Sequence, residues 1–303
     1  MGDESARKSG TRKILVTGGS GQLASALASL GFGRVRVVGR PAFDFDRPET
    51  IEPAFRAANP WLVVNAAAYT AVDKAETDEA AAYRANRDGP ARLARMCAAA
   101  GVPLIHVSTD YVYDGDKPGP YVETDAVGPR SVYGASKLAG EQAIQASGAR
   151  AIILRTAWVY AATGRNFVLT MLNLAKTRDH LRVVADQRGC PTAAADLAEA
   201  ILAIATRLET GGWRDDMVGV FHAAGSGDTT WHGFAQAVFR NAARHGARVP
   251  ATVEAIATAE YPTPARRPAN SRLDCGRLEA VFGISLPDWR DSLSRTVDAV
   301  FDA

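Results

Sequence analysis

Tyr133 and Lys137 stand four residues apart in the run Ser131-Val132-Tyr133-Gly134-Ala135-Ser136-Lys137. On a helix, positions i and i+4 share a face, so a phenol and an ammonium can meet at one spot. A free tyrosine titrates near pH ~10 and is a poor proton donor at neutral pH. A cation beside it favours the phenolate and draws the pKa toward a working range. Taken alone, the spacing also fits a solvated helix face. Upstream, Ser108 or Thr109 offers a hydroxyl, followed by Asp110, at the end of the apolar run Val102–Ser108. A hydroxyl, a phenol and an ammonium can protonate the alkoxide that forms when a hydride reaches a ketone. The same groups would run an oxidation in reverse.

That chemistry needs a hydride source, and the N-terminal half supplies a pattern for one. Lys13–Thr17 reads as a buried parallel strand and runs into Gly18-Gly19-Ser20-Gly21-Gln22-Leu23-Ala24, then a helix to about Leu30. Strand, glycine turn and helix form the context a dinucleotide fingerprint requires. Gly18 permits the tight turn. Gly21 lets a pyrophosphate reach the free N–H groups of the helix N-terminus. The next strand, Val35–Val38, ends in Gly39-Arg40, where an NAD site would place an acidic residue. Arg40 suits the 2′-phosphate of NADP instead, so NADPH is expected over NADH.

Asp46 with Glu49 resembles a capping box for a helix running to about Asn59. Trp61–Asn65 and Val102–Ser108 are further core strands. The fold class is therefore α/β: a Rossmann-type doubly wound parallel sheet with a smaller, mostly C-terminal substrate domain. Residues 1–12 are polar and are expected to be disordered. The dinucleotide domain is expected over 13–155, with about 182–207 and 230–256 returning to it. The substrate domain is expected over 156–181, 208–229 and 257–303.

The composition narrows the remaining classes. In 303 residues, 47% hydrophobic and 22% charged content fits a soluble globular protein. A net charge of +2 gives no nucleic-acid signal. No apolar run approaches the ~18 residues of a membrane helix. The cytoplasm is the expected location. Cys97, Cys190 and Cys275 are scattered, and the histidines lack metal spacing, so no metal is expected. His106, inside an apolar strand, reads as a satisfied core residue. Trp158 could stack on a sugar or base, or fill the core. The loop Tyr261–Pro268 is too proline-rich for helix or central strand, and presents Arg266 and Arg267.

The chain resembles the extended short-chain dehydrogenase/reductases and, more narrowly, the dTDP-4-dehydrorhamnose reductase family. The matching stretches are GGSGQLA (18–24), VVNAAAYTAVDKAE (63–76), VSTDYVYDG (107–115), VYGASKLAGE (132–141), RTAWVYA (155–161), DQRGCPT (186–192) and YPTPARRPANSRLD (261–274). The resemblance implies reduction of the C4 ketone of dTDP-4-dehydro-β-L-rhamnose in dTDP-rhamnose biosynthesis, with Tyr133 as proton donor. Lys137 would lower its pKa and bind ribose, and Thr109 would assist. It implies cofactor contacts at Gly21, Gln22, Leu23, Asp44, Phe45, Ala68, Tyr69, Thr70 and Val107, alongside Gly18 and Arg40. Thr109, Asp110, Trp158 and Arg266 would meet the substrate. Some members form magnesium-bridged dimers through glutamates. The corresponding stretches here, Ala24–Leu27 and Ala193–Asp196, offer none, so a monomer or another homodimer is expected. The rivals are another sugar-nucleotide 4-ketoreductase or epimerase, and a non-catalytic NADP-binding regulatory subunit.

Overall fold

The computed structural model describes residues 12–302. Residues 1–11, the bulk of the expected disordered lead-in, lie outside the described residues. Arg12 is fixed, donating from Nη2 to the Pro60 carbonyl at 2.5 Å.

The strands are, in chain order, β1 (Ile14–Thr17), β2 (Val35–Val38), β3 (Leu62–Asn65), β4 (Leu104–Thr109), β5 (Ala151–Thr156), β6 (His180–Val184), β7 (Gly219–His222) and β8 (Thr252–Ile256), beside shorter two-residue pieces. Six of them form one parallel sheet in the order β7-β5-β4-β3-β1-β2. β1, β3 and β5 are buried along their whole length, as strands covered on both faces must be. Their side chains divide by alternation. Ile14, Val16, Leu62, Val64 and Ile105 face α1 (Gln22–Leu30) and the later helix α6 (Ala194–Gly211). Leu15, Val63, Leu104 and Ile153 face α2 (Ile51–Ala58), α3 (Gly89–Ala100) and α4 (Val132–Gln145). This is the α/β sandwich the βαβ pattern requires.

A second core joins α5 (Phe167–Ala175), α7 (Trp231–Arg244), α8 (Trp289–Phe301) and the β6–β8 pair. Several segments therefore fall on the other side of the sequence-based division: Leu278, Phe282, Ile284 and Leu286, assigned to the smaller unit, pack in the main-sheet core, and residues 182–184, assigned to the main unit, belong to β6 of the second core. Residues 219–222, assigned to the smaller unit, are the edge strand of the main sheet. Residues 230–256, assigned to the main unit, pack in the second core. The physical cause is ambiguity: Val220-Phe221 is too short an apolar run to tell strand from turn. The Phe234/Val238 stripe shows that α7 has a buried face, without showing which core receives it.

The expected capping box at Asp46 does not form. Helix α2 starts at Ile51, after a single 3₁₀ turn led by Pro48. The Asp46 carboxylate instead accepts from Arg40 and Arg84.

Candidate active site

β2 and β3 lie on opposite sides of β1, so the chain reverses direction across the sheet there. A cleft at the carboxyl ends of the strands is the expected consequence. A cavity of about 980 Å³ runs from the turn Gly18–Gly21 to Trp158, Trp231 and Arg267. Gly18, Gly21, Gln22, Leu23, Arg40, Asp44, Phe45, Ala68, Tyr69, Thr70, Val107, Thr109, Asp110, Tyr133, Lys137 and Trp158 all line it. Arg266 does not: it lines a separate cavity of about 480 Å³ with Asp114, Asp116 and Asp186, its guanidinium 3.8 Å from Asp116. Its neighbour Arg267 lines the main cavity, donating to the Tyr111 hydroxyl at 3.0 Å and to Asp73 at 2.6 Å. An irregular proline loop has no periodicity from which to read which of two adjacent arginines turns inward.

The glycine end is shaped for an anion. Gly18 has φ +110° and sits against the Ala66 backbone, 3.0 Å from where a Cβ would be. Gly21 is the N-cap of α1 and places no side chain over the first free N–H groups. A dinucleotide pyrophosphate fits this cradle. Gly39 leaves no room for a side chain: a Cβ there would stand 2.5 Å from the Gly19 Cα. Arg40 is exposed at the rim and paired with Asp44 at 3.0 Å and Asp46 at 2.6 Å.

Helix α4 carries the reactive pair. Ser131 caps it, its hydroxyl accepting from the Gly134 N–H at 3.1 Å. Tyr133 and Lys137 are both buried. Burial raises the Tyr133 pKa, with smaller upward pushes from Asp110 and Tyr111; the Thr109 hydroxyl works against them. Lys137 Nζ donates to the Val107 carbonyl at 2.7 Å and lies 3.3 Å from His106 Nε2. Burial lowers the Lys137 pKa to about 8, against the attraction of Glu141. Lys137 Nζ is thus directed to β4.

Thr109 ends β4, its hydroxyl donating to Asp110 Oδ1 at 3.0 Å. Asp110 Oδ2 is buried with no hydrogen-bond partner among the described residues. Burial raises the Asp110 pKa to about 6, opposed by the Ser271 and Thr109 hydroxyls. Asp110 lines the cavity, with its carboxylate otherwise enclosed by the fold.

Below Lys137, Glu141 and Arg155 form a buried ion pair at 2.6 Å, and Ser108 donates to Glu141 at 2.5 Å. Arg155 also donates to the Tyr113 hydroxyl at 2.7 Å. The network pins α4 to β4 and β5, and so fixes where Tyr133 stands.

At the far end, Trp158 has φ +48°, a left-handed backbone that a bulky residue rarely adopts. Its ring occupies the space a Gly189 side chain would need, 2.4 Å from the ideal Cβ. Trp231 and Arg165 also line the cavity without having been singled out in the sequence. Trp231 is the first residue of α7, and neither residue belongs to a motif that would mark it. Among the described residues, no group of three or more His, Cys, Asp or Glu is arranged to hold a metal ion.

The description "RmlD substrate binding domain" covers a family model that matches residues 12–301. The chain is 49% identical over 290 residues to the dTDP-4-dehydrorhamnose reductase of Sinorhizobium fredii, covering 95% of this chain and 97% of that protein. It is 43% identical to the Escherichia coli dTDP-4-dehydrorhamnose reductase, covering 85% and 86%. A dTDP-4-dehydrorhamnose reductase structure from Clostridium acetobutylicum superposes with a TM-score of 0.87 at 36% identity, over 95% of this chain and 99% of that one. The Bacillus anthracis dTDP-4-dehydrorhamnose reductase, solved in complex with NADP, gives 0.85 at 31% identity over the same shares. With its parallel sheet, its glycine cradle and its Tyr133–Lys137 helix in place, the chain belongs to the dTDP-4-dehydrorhamnose reductase family of NAD(P)H-dependent oxidoreductases.

Proposed function

We propose that the protein reduces the C4 ketone of dTDP-4-dehydro-β-L-rhamnose to dTDP-β-L-rhamnose, using NADPH, with NADH as the weaker donor. One observation carries the reading: a single cavity joins the Gly18–Gly21 anion cradle to Thr109, Tyr133 and Lys137. The named activity of relatives covering most of the chain supports the substrate, and the NADP complex of the Bacillus anthracis relative supports the cofactor. When bound, the dinucleotide supplies the hydride.

The protein's part is to bind, orient and move a proton. Tyr133 gives its phenolic proton to the C4 oxygen as negative charge develops there. Its raised pKa keeps that proton in place until the oxygen becomes basic enough to take it. Thr109 hydrogen-bonds the same oxygen or the phenol. Lys137 as an ammonium stabilises the phenolate that remains and binds the ribose hydroxyls. Asp110 and Trp158 hold the sugar. No helix among the described residues is long and apolar enough to cross a membrane, and we assign the work to the cytoplasm.

The test is direct. Purified protein is mixed with dTDP-4-dehydrorhamnose and NADPH, and the product is identified by NMR. Oxidation of NADPH with formation of dTDP-β-L-rhamnose is the expected result. No NADPH oxidation sinks the reading, and a sugar of other C4 configuration moves the protein to a different ketoreductase.

A further inference from the structure

Adjacent strands align Thr17, Asn65 and His106 in one row across the sheet, Thr17 beside Asn65 and Asn65 beside His106. All three are buried, His106 completely. The Thr17 hydroxyl donates to Asn65 Oδ1 at 2.6 Å, and the Ala67 N–H reaches the same oxygen at 3.3 Å. The Ala67 N–H is shared with Thr17 Oγ1 at the same 3.3 Å, so the short Thr17 hydroxyl contact is what orients the amide. Asn65 Nδ2 must then donate to His106 Nδ1, at 2.9 Å. Nδ1 therefore presents a lone pair, and a neutral imidazole carries its hydrogen on Nε2. Burial favours the neutral ring, holding the His106 pKa well below its ordinary value.

The Nε2–H faces Lys137 Nζ at 3.3 Å. An ammonium has only hydrogens to offer, so a charged Lys137 would oppose donor with donor. An uncharged amine has a lone pair that accepts the Nε2–H, while one of its own hydrogens still reaches the Val107 carbonyl at 2.7 Å. The other groups around Nζ are Glu141 and Tyr133 on its own helix. Glu141 is spoken for by Arg155 of β5 and Ser108 of β4. From the segments against the outer side of α4, Glu76 accepts from the Val132 N–H and uncharged Asn86 bonds Ser136.

We propose that His106 is a positioning residue for Lys137: in the free protein its Nε2–H favours the neutral amine over the ammonium and holds it against β4, and seating the dinucleotide draws Lys137 into the cavity as an ammonium, with proton uptake wherever the amine had been neutral. The inference rests on the dinucleotide reading above. It makes Lys137 a side chain with two settings, of which only the charged one serves the ribose hydroxyls and the phenolate. Because the amine titrates at about 8 in the free protein, uptake is small below that pH and grows above it.

Proton uptake on NADPH binding is measured by calorimetry in buffers of different ionisation enthalpy, between pH ~6.5 and ~9. The wild type is expected to take up close to one proton at the upper end and little at the lower, its affinity falling about tenfold per pH unit above pH ~8. His106→Asn keeps an acceptor for the Asn65 amide and removes Nε2–H; uptake at the upper end should fall by more than half. His106→Gln, which can return an N–H toward Nζ, should restore it. Tight binding without uptake in the wild type, or uptake unchanged in His106→Asn, overturns the proposal. A ¹⁵N NMR spectrum of the free wild type serves even if the variants fail to fold: the Nε2–H tautomer is expected, and the Nδ1–H tautomer overturns it. Absence of any NADPH binding sinks the dinucleotide reading itself, and this inference with it.

Discussion

The indole of Trp158 lies stacked on that of Trp231, ring centroids 3.5 Å apart and planes 10° from parallel. Trp158 reaches this position through a left-handed backbone, and the space that Gly189 leaves clear accommodates its ring. Such a backbone persists only where its surroundings hold it. Trp231 is itself braced by Phe167, 4.7 Å away. The second core thereby sets one wall of the cavity.

Trp231→Ala should accordingly loosen Trp158 and weaken the sugar nucleotide. An aromatic pair is worth about 0.5–1.5 kcal/mol, which corresponds to a KM roughly 2–12-fold higher. NADPH affinity, set at the other end of the cavity, should be nearly unchanged. Equal losses in both affinities would show that Trp231 supports the cavity as a whole and not Trp158 in particular.

Gly39→Asp tests the dinucleotide end. In many NAD enzymes an acidic residue here selects NADH. In this chain the new Cβ would meet the Gly19 Cα at 2.5 Å. The expected outcome is weaker binding of both NADH and NADPH, with overpacking lowering stability by about 1–3 kcal/mol. A clean switch to tight NADH binding would mean that the Gly19 turn moves aside at little cost.

Tyr133→Phe should lower kcat by about 10²–10⁴, the usual worth of a positioned proton donor. Phenylalanine keeps the packing against Tyr111, whose ring centroid is 5.4 Å away, so fold and NADPH affinity should persist. Activity within a few-fold of wild type would remove Tyr133 from the proton step.

Arg155→Met should destabilise the protein by about 3–5 kcal/mol, the cost of leaving one member of a buried pair alone. Glu141 would then be uncompensated beneath Lys137. Urea denaturation reads the loss. A change below ~1 kcal/mol would mean that the surroundings repack or that Glu141 takes up a proton.

The legibility of this site in the sequence follows how local each feature is. The glycine turn and the Tyr133–Lys137 spacing are each contained in one strand–helix unit or one helix, and their residues line the cavity, although Lys137 Nζ turns to β4. His106, Trp231 and Arg267 depend on which strands become neighbours, which core takes α7, and which way a proline loop turns. These are tertiary outcomes. His106 shows the difference well: an apolar strand with one histidine gives a buried histidine, but its alignment with Asn65 and its approach to Lys137 exist only once β3, β4 and α4 are assembled.

Asp110 should destabilise the protein at neutral pH while serving the ligand. Its folded pKa of about 6 lies above the ordinary value of 3.8. The folded state therefore binds the proton more tightly than the unfolded chain, and stability falls as pH rises between those two values. Above pH ~6 the loss is complete, at most about 3 kcal/mol for a shift of roughly two units. Asp110→Asn removes the ionisation and keeps the shape. The variant should melt at higher temperature than wild type at pH ~7, with the gap closing toward pH ~4. KM for the sugar nucleotide should rise at the same time, because Asp110 lines the cavity beside Thr109 and Tyr133. A variant that is less stable at neutral pH, or a stability difference that does not vary with pH, would show that the Asp110 carboxylate is held by the fold and not for the substrate.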